Sequence, residues 1–100
     1  MNGDAVEEFM EREVKLLSQE FSDLKQYFVK PEKVRYETFN GHQIDLWKVF
    51  QKDEYHIVYS DQREIFGIAF INITRDQIYL GGNGALKDAL IAYIQKDNKE

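Results

Sequence analysis

The chain is 100 residues long, 43% hydrophobic and 14% aromatic, carries a formal net charge of −5 and contains no cysteine. That is the size and make-up of one globular domain spanning residues 1–100, and it excludes a disulfide scaffold, thiolate metal sites and cysteine catalysis. The acidity argues against a phosphate-neutralising grip on duplex nucleic acid. No apolar run nears the ~18 residues of a membrane span, and no basic-then-apolar leader opens the chain, so a cytoplasmic protein with no membrane partner is expected.

At the start, Val6, Met10, Val14, Leu17, Phe21, Leu24 and Phe28 recur every three or four residues, which is the period of one helical face. The spacing predicts a long helix over residues 4–29. Asp4 and Glu7 fit a capping box. Glu7, Glu8 and Glu11 suit the positive end of the helix dipole, and Lys25 and Lys30 the negative end. Pro31 restricts Lys30 to an extended conformation and ends the helix there. Such a helix is about 36 Å long, whereas five strands side by side span only about 20–25 Å. Its N-terminal part should overhang the sheet. Val6, Phe9, Met10 and Val14 are therefore candidate contacts with a protein partner or with a second copy in a homodimer.

From residue 33 to residue 80 β-branched and aromatic residues take over, broken by short polar clusters. Residues 33–39, 42–51, 55–60, 64–73 and 77–80 read as five strands. The turns between them are Asn40-Gly41, where two positive φ angles are expected, then 52–54, 61–63 and 74–76. The fourth strand is apolar on both faces and must be covered on both sides; Ile68 and Phe70 are expected buried on one face and Ile71 on the other. Arg35, Glu37, Asp45 and Lys48 mark the first hairpin as an edge. Cover for two faces could come from one helix on each side, or from both helices on one side and a second subunit on the other.

Gly81-Gly82-Asn83-Gly84 breaks the last strand, and a helix over 85–95 follows, with Leu86, Ala89, Leu90, Tyr93 and Ile94 on its apolar face. The fold class is α+β: a long N-terminal helix, an antiparallel meander of about five strands and a C-terminal helix.

Few residues suggest chemistry. Backbone N–H groups at Gly82, Asn83 and Gly84, with Lys87 nearby, form a candidate anion loop. It lacks both the phosphate-loop and the dinucleotide glycine patterns. His42 and His56 have no ligand partners at metal-binding spacing and read as ordinary strand histidines. Ser18, Ser22 and Ser60 lie in no nucleophile elbow. Among the strand aromatics, Tyr36 and Trp47 are of the types that carry interface energy when half exposed. The basic residues around them, Lys33, Arg35, Lys48 and Lys52, alternate with acids.

The sequence therefore reads as a small non-enzymatic interaction or regulatory protein of adaptor or inhibitor type. It would need no cofactor and no metal, and would bind a protein partner through the first helix and the aromatic hairpin. The alternative is a small-ligand or anion-binding module using the 81–84 loop. A third reading is a weak single-strand nucleic-acid binder using Trp47 and the hairpin basics.

Overall fold

A computed structural model describes residues 1–97. The expected α+β class is what it contains. Helix α1 (Gly3–Lys15) and a 3-10 helix (Gln19–Tyr27) lead into strands β1 (Phe28–Glu37), β2 (Gln43–Lys52), β3 (Tyr55–Ser60), β4 (Ile65–Ile71) and β5 (Gln77–Gly84), followed by helix α2 (Leu86–Asp97).

The single helix expected over 4–29 is corrected to two. The cap is Asn2, whose Oδ1 accepts from the Ala5 N–H at 2.9 Å, not Asp4, which lies in the first turn. At the other end the Leu17 N–H reaches the Val14 carbonyl, a tightened last turn, and Ser18 is extended. Short polar side chains compete with the helical backbone and favour such breaks. Phe21, Leu24 and Tyr27 then recur every three residues, which is one stripe of a 3-10 helix with three residues per turn. The apolar stripe of the sequence was real, but its second half has the tighter period. The break ends α1 after 13 residues, and Val6 and Met10 on it share one core with Phe21 of the 3-10 helix instead of overhanging the sheet.

The five strands form a meander in which each is antiparallel to the next, and the sheet curls until β5 meets β1, closing a barrel. Closure rests on one parallel pair, Glu37 with Ile78. Along the rest of β1 the free edge carries Lys30, Pro31 and Lys33, residues that blunt an edge against further strand pairing. Bulges supply the curl. β2 has one extra residue, Val49, between its pairs with Val58 and Ile57. β5 has two, Leu80 and Asn83. Gly81 (φ 126°) and Gly84 (φ 100°) adopt the left-handed backbone that these bulges need. The run 81–84 is thus a bulged strand end rather than the loop expected. In the first hairpin only Gly41 takes positive φ (80°). The Thr38 N–H bonds the His42 carbonyl, giving a three-residue loop instead of a two-residue turn.

Curling also answers the question of what covers the second face. One core is built by α1, the 3-10 helix and α2 against Trp47, Val49, Phe50, Ile57, Tyr59, Phe66 and Ile68. The other, Tyr36, Leu46, Val58 and Ala69, contains no helical residue and fills the barrel. β4 serves both, as its two apolar faces require. At its far end Phe70 and Ile71 are only half-buried, a correction to the full burial expected. They stand where the strand runs out into the 72–76 turn, with Phe70 against Tyr55 at 6.5 Å between centroids. No helix among the described residues is long and apolar enough to cross a membrane.

Candidate interaction site

Helix α1 presents two faces of different chemistry. Val6 and Met10 are buried in the helix-covered core. Phe9 is half-buried against Tyr59 and Phe66, with centroids 4.9 and 6.1 Å away. Val14, half-buried, marks the limit of that packing. On the far side stand Asp4, Glu7, Glu8 and Glu11.

Strand β1 begins beside α1. It pairs with β2 at Phe28 and again at Glu32, opposite Phe50 and Lys48. Three residues of β1, 29–31, thus stand opposite the single residue Val49 of β2, and the surplus, which includes Pro31, bows outward. Between the bowed segment and α1 lies a groove of about 470 Å³. Its apolar lining is Met10, Val14, Phe28, Val29, Pro31 and Val49, while Glu7, Glu11, Lys15 and Lys30 supply charge. Leu16, just past the helix end, is 79% exposed, and Val29 is also exposed. A smaller depression of about 370 Å³, lined by Asp4, Glu7, Glu8 and Glu11, shares Glu7 and Glu11 with the groove. Among the described residues none of these four acids makes an ion pair.

Of the expected interface residues, the structure brings Met10 and Val14 into the groove, with Phe9 packed behind. It removes Val6, Tyr36 and Trp47. Val6 faces inward from α1 with no exposed surface, and Tyr36 fills the barrel. Trp47 is sealed by Gly3, 3.8 Å away from the position a Cβ there would take. The Trp47 ring also has the Lys33 ammonium 4.6 Å from its centroid. Burial of Tyr36 follows from closure, and burial of Trp47 from the start of α1 lying against its ring. The aromatic hairpin is therefore not a surface; only Phe39 at its tip, 76% exposed, is.

The hairpin cations have internal partners. Arg35 donates to both carboxylate oxygens of Asp45, at 2.9 and 3.3 Å, and holds that carboxyl below its usual range. Lys48 lies 3.7 Å from Glu32. Lys52 stands over Tyr27 and Tyr93. The Met1 ammonium, 3.1 Å from Asp61, likewise lowers the Asp61 carboxyl. A base-stacking surface needs an exposed ring and free cations, and here Trp47 is buried and all four cations lie beside an acid or an aromatic face.

The candidate anion loop is filled by the chain itself. Asp88 on α2 accepts from the Ala85 N–H at 3.1 Å, and its carboxylate lies against Gly84. Gly82, Asn83 and Lys87 are exposed around it. A helix N-terminus attracts negative charge, and a carboxylate three residues along the same chain supplies it. His42 is exposed in the first hairpin loop, and His56 is buried inside the barrel. Among the described residues no group of three or more His, Cys, Asp or Glu side chains could hold a metal ion.

Val29 and Pro31 belong to the groove, Leu16 is exposed next to Lys15 of its rim, and none of the three is an expected interface residue. Assigning 4–29 to one helix placed Val29 and Leu16 off its apolar stripe. The signal that could have found them is the break at Ser18, which frees residues 28–31 to begin a strand. No family model matches the chain, and neither a curated protein nor a solved structure matches it.

Proposed function

We propose that the chain is a small non-enzymatic interaction protein of the cytoplasm that seats a segment of another protein in the groove between α1 and the start of β1. The apolar lining of that groove, with Val29 exposed in it and Leu16 exposed next in sequence to Lys15 of its rim, carries the reading. Exposed apolar surface gathered in a concavity and rimmed by charge is the usual form of a docking site. The two imidazoles support the non-enzymatic part: His56 is enclosed in the barrel away from any substrate, and His42 stands on an open turn.

The test is affinity capture with the wild-type chain beside the Val29→Asp and Leu16→Asp variants. Both side chains are exposed, so substitution should change stability by no more than about 0.5 kcal/mol. A protein retained by the wild type and lost by both variants is expected. Unchanged capture by folded variants would show that the groove is not the interface.

A further inference from the structure

Resting on the groove as the docking site, we infer that its occupant is a basic amphipathic protein segment, with apolar side chains entering the groove and Lys or Arg side chains lying along the acidic face of α1. Charge complementarity carries this. Glu7 and Glu11 border the apolar floor and at the same time belong to the cluster with Asp4 and Glu8. No cation of the chain pairs with any of the four among the described residues, although other acids, Asp45, Asp61 and Glu32, have basic partners. Four like charges on two helical turns repel one another, and a cationic partner relieves that repulsion.

The alternatives fit less well. An acidic segment meets the same face with like charge. A second copy of this chain, net charge −5, would oppose one concave surface to another in a two-fold contact. It would leave both grooves unfilled unless a protruding residue such as Leu16 entered them. Lys15 and Lys30 also line the groove, so the partner's basic residues belong on the Asp4–Glu8 side and an acid or a polar residue beside the lysines. Specificity then has an attractive and a repulsive element in one site.

The experiment uses the whole chain and three synthetic amphipathic helices of about 18 residues, roughly five turns. They share one leucine face and differ on the other, which carries Lys, Gln or Glu. Amide NMR titration locates binding, and anisotropy of the labelled peptides measures it. The lysine peptide should bind saturably, with shifts at residues 4–16 and 28–31. Its affinity should fall with added salt, and should drop about fivefold or more in the Glu7→Gln, Glu11→Gln double variant, the loss of two or so exposed ion pairs. Both side chains sit at the surface, so the variant should fold, and an unchanged unfolding midpoint checks that it has. Equal binding of the Lys and Gln peptides, with the same shifts, would overturn the basic occupant while leaving the groove as a docking site. No shift at 4–16 and 28–31 with any of the three would overturn both. Self-association, seen as a concentration-dependent mass with those resonances broadened in the free protein, would replace the basic segment with a second copy.

Discussion

Inside the barrel the Tyr36 hydroxyl lies 2.9 Å from His56 Nδ1, and the two rings meet edge to face with centroids 5.9 Å apart. Tyr36 pairs with Ile44 on β2 and His56 with Gln51, so a flat sheet would separate them by about 20 Å along the strands. The contact is therefore a consequence of curl. It uses one ring nitrogen; Nε2 is buried with no hydrogen-bond partner.

A buried imidazole with one satisfied nitrogen resists a second proton. Burial first, then the nearby Lys48, pushes the His56 pKa from 6.5 down to about 4, with Glu32 opposing. Between those two values the unfolded chain binds the proton more readily than the folded one. The stability this confers is complete above pH ~6.5 and is lost as pH falls toward ~4, amounting to at most about 3 kcal/mol. Urea midpoints measured from neutral pH down to the lower limit should fall in the wild type. His56→Gln should flatten that slope, since the remaining depressed groups, Asp45 and Asp61, titrate below the window. An equal slope in both would mean that His56 is not the group responsible.

Removing the phenol oxygen isolates the other ring nitrogen as well. Tyr36→Phe keeps the ring that fills the barrel and should cost about 1–3 kcal/mol, the penalty of an unsatisfied buried polar atom. Chemical denaturation at neutral pH measures it. A neutral substitution would place a water, not the hydroxyl, on Nδ1.

β4 and β5 approach closely where the bulges lie. A Cβ on Gly67 would collide with the Gly81 carbonyl oxygen, a backbone atom that cannot swing aside. Gly67→Ala should lose at least the ~1–3 kcal/mol of an overpacked core. The same change at Gly82, where the obstacle is the flexible end of Ile65, should cost less. If the order of the two were reversed, the bulged register of β5 would be wrong.

Strand order and the second helix could be read because each depends on local pattern: alternation, turn residues, and the apolar positions Leu86, Ala89, Leu90 and Tyr93. The barrel could not, because closure depends on bulges at Val49, Leu80 and Asn83, and an extra residue has no signature in hydrophobic period. The groove failed for a related reason. A period of three and a period of 3.6 share most positions over two turns, so Phe21 and Leu24 fit either helix, and only the backbone at Ser18 separates them. Tyr36 and Trp47 looked like surface aromatics because strand alternation says which residues share a face, not which face ends up enclosed.

The broken helix makes its own prediction. Phe21 is buried and Leu16 is 79% exposed, so the two ends of the break should respond differently to truncation. Phe21→Ala should cost about 3–5 kcal/mol as a core truncation, and Leu16→Ala no more than about 0.5 kcal/mol. Comparable losses would mean that Leu16 is packed rather than exposed at the end of α1.

At the start of α2 the chain supplies its own anion. Ala85, preceding the helix, has no side-chain oxygen to cap it, and Asp88 reaches back to its N–H at 3.1 Å, one half of a capping box. Asp88→Ala should destabilise by about 0.5–2 kcal/mol. Asp88→Asn should recover part of that, keeping an acceptor while losing the favourable charge at the helix N-terminus, itself about 0.3–1 kcal/mol. Because the carboxylate already occupies the position, phosphate added to the wild type should leave the amides of residues 81–87 unmoved, whereas in Asp88→Ala the freed Ala85 N–H should shift. A saturable sub-millimolar shift in the wild type would mean that the carboxylate yields to a ligand, and the anion-binding alternative would displace the docking groove as the first site to study.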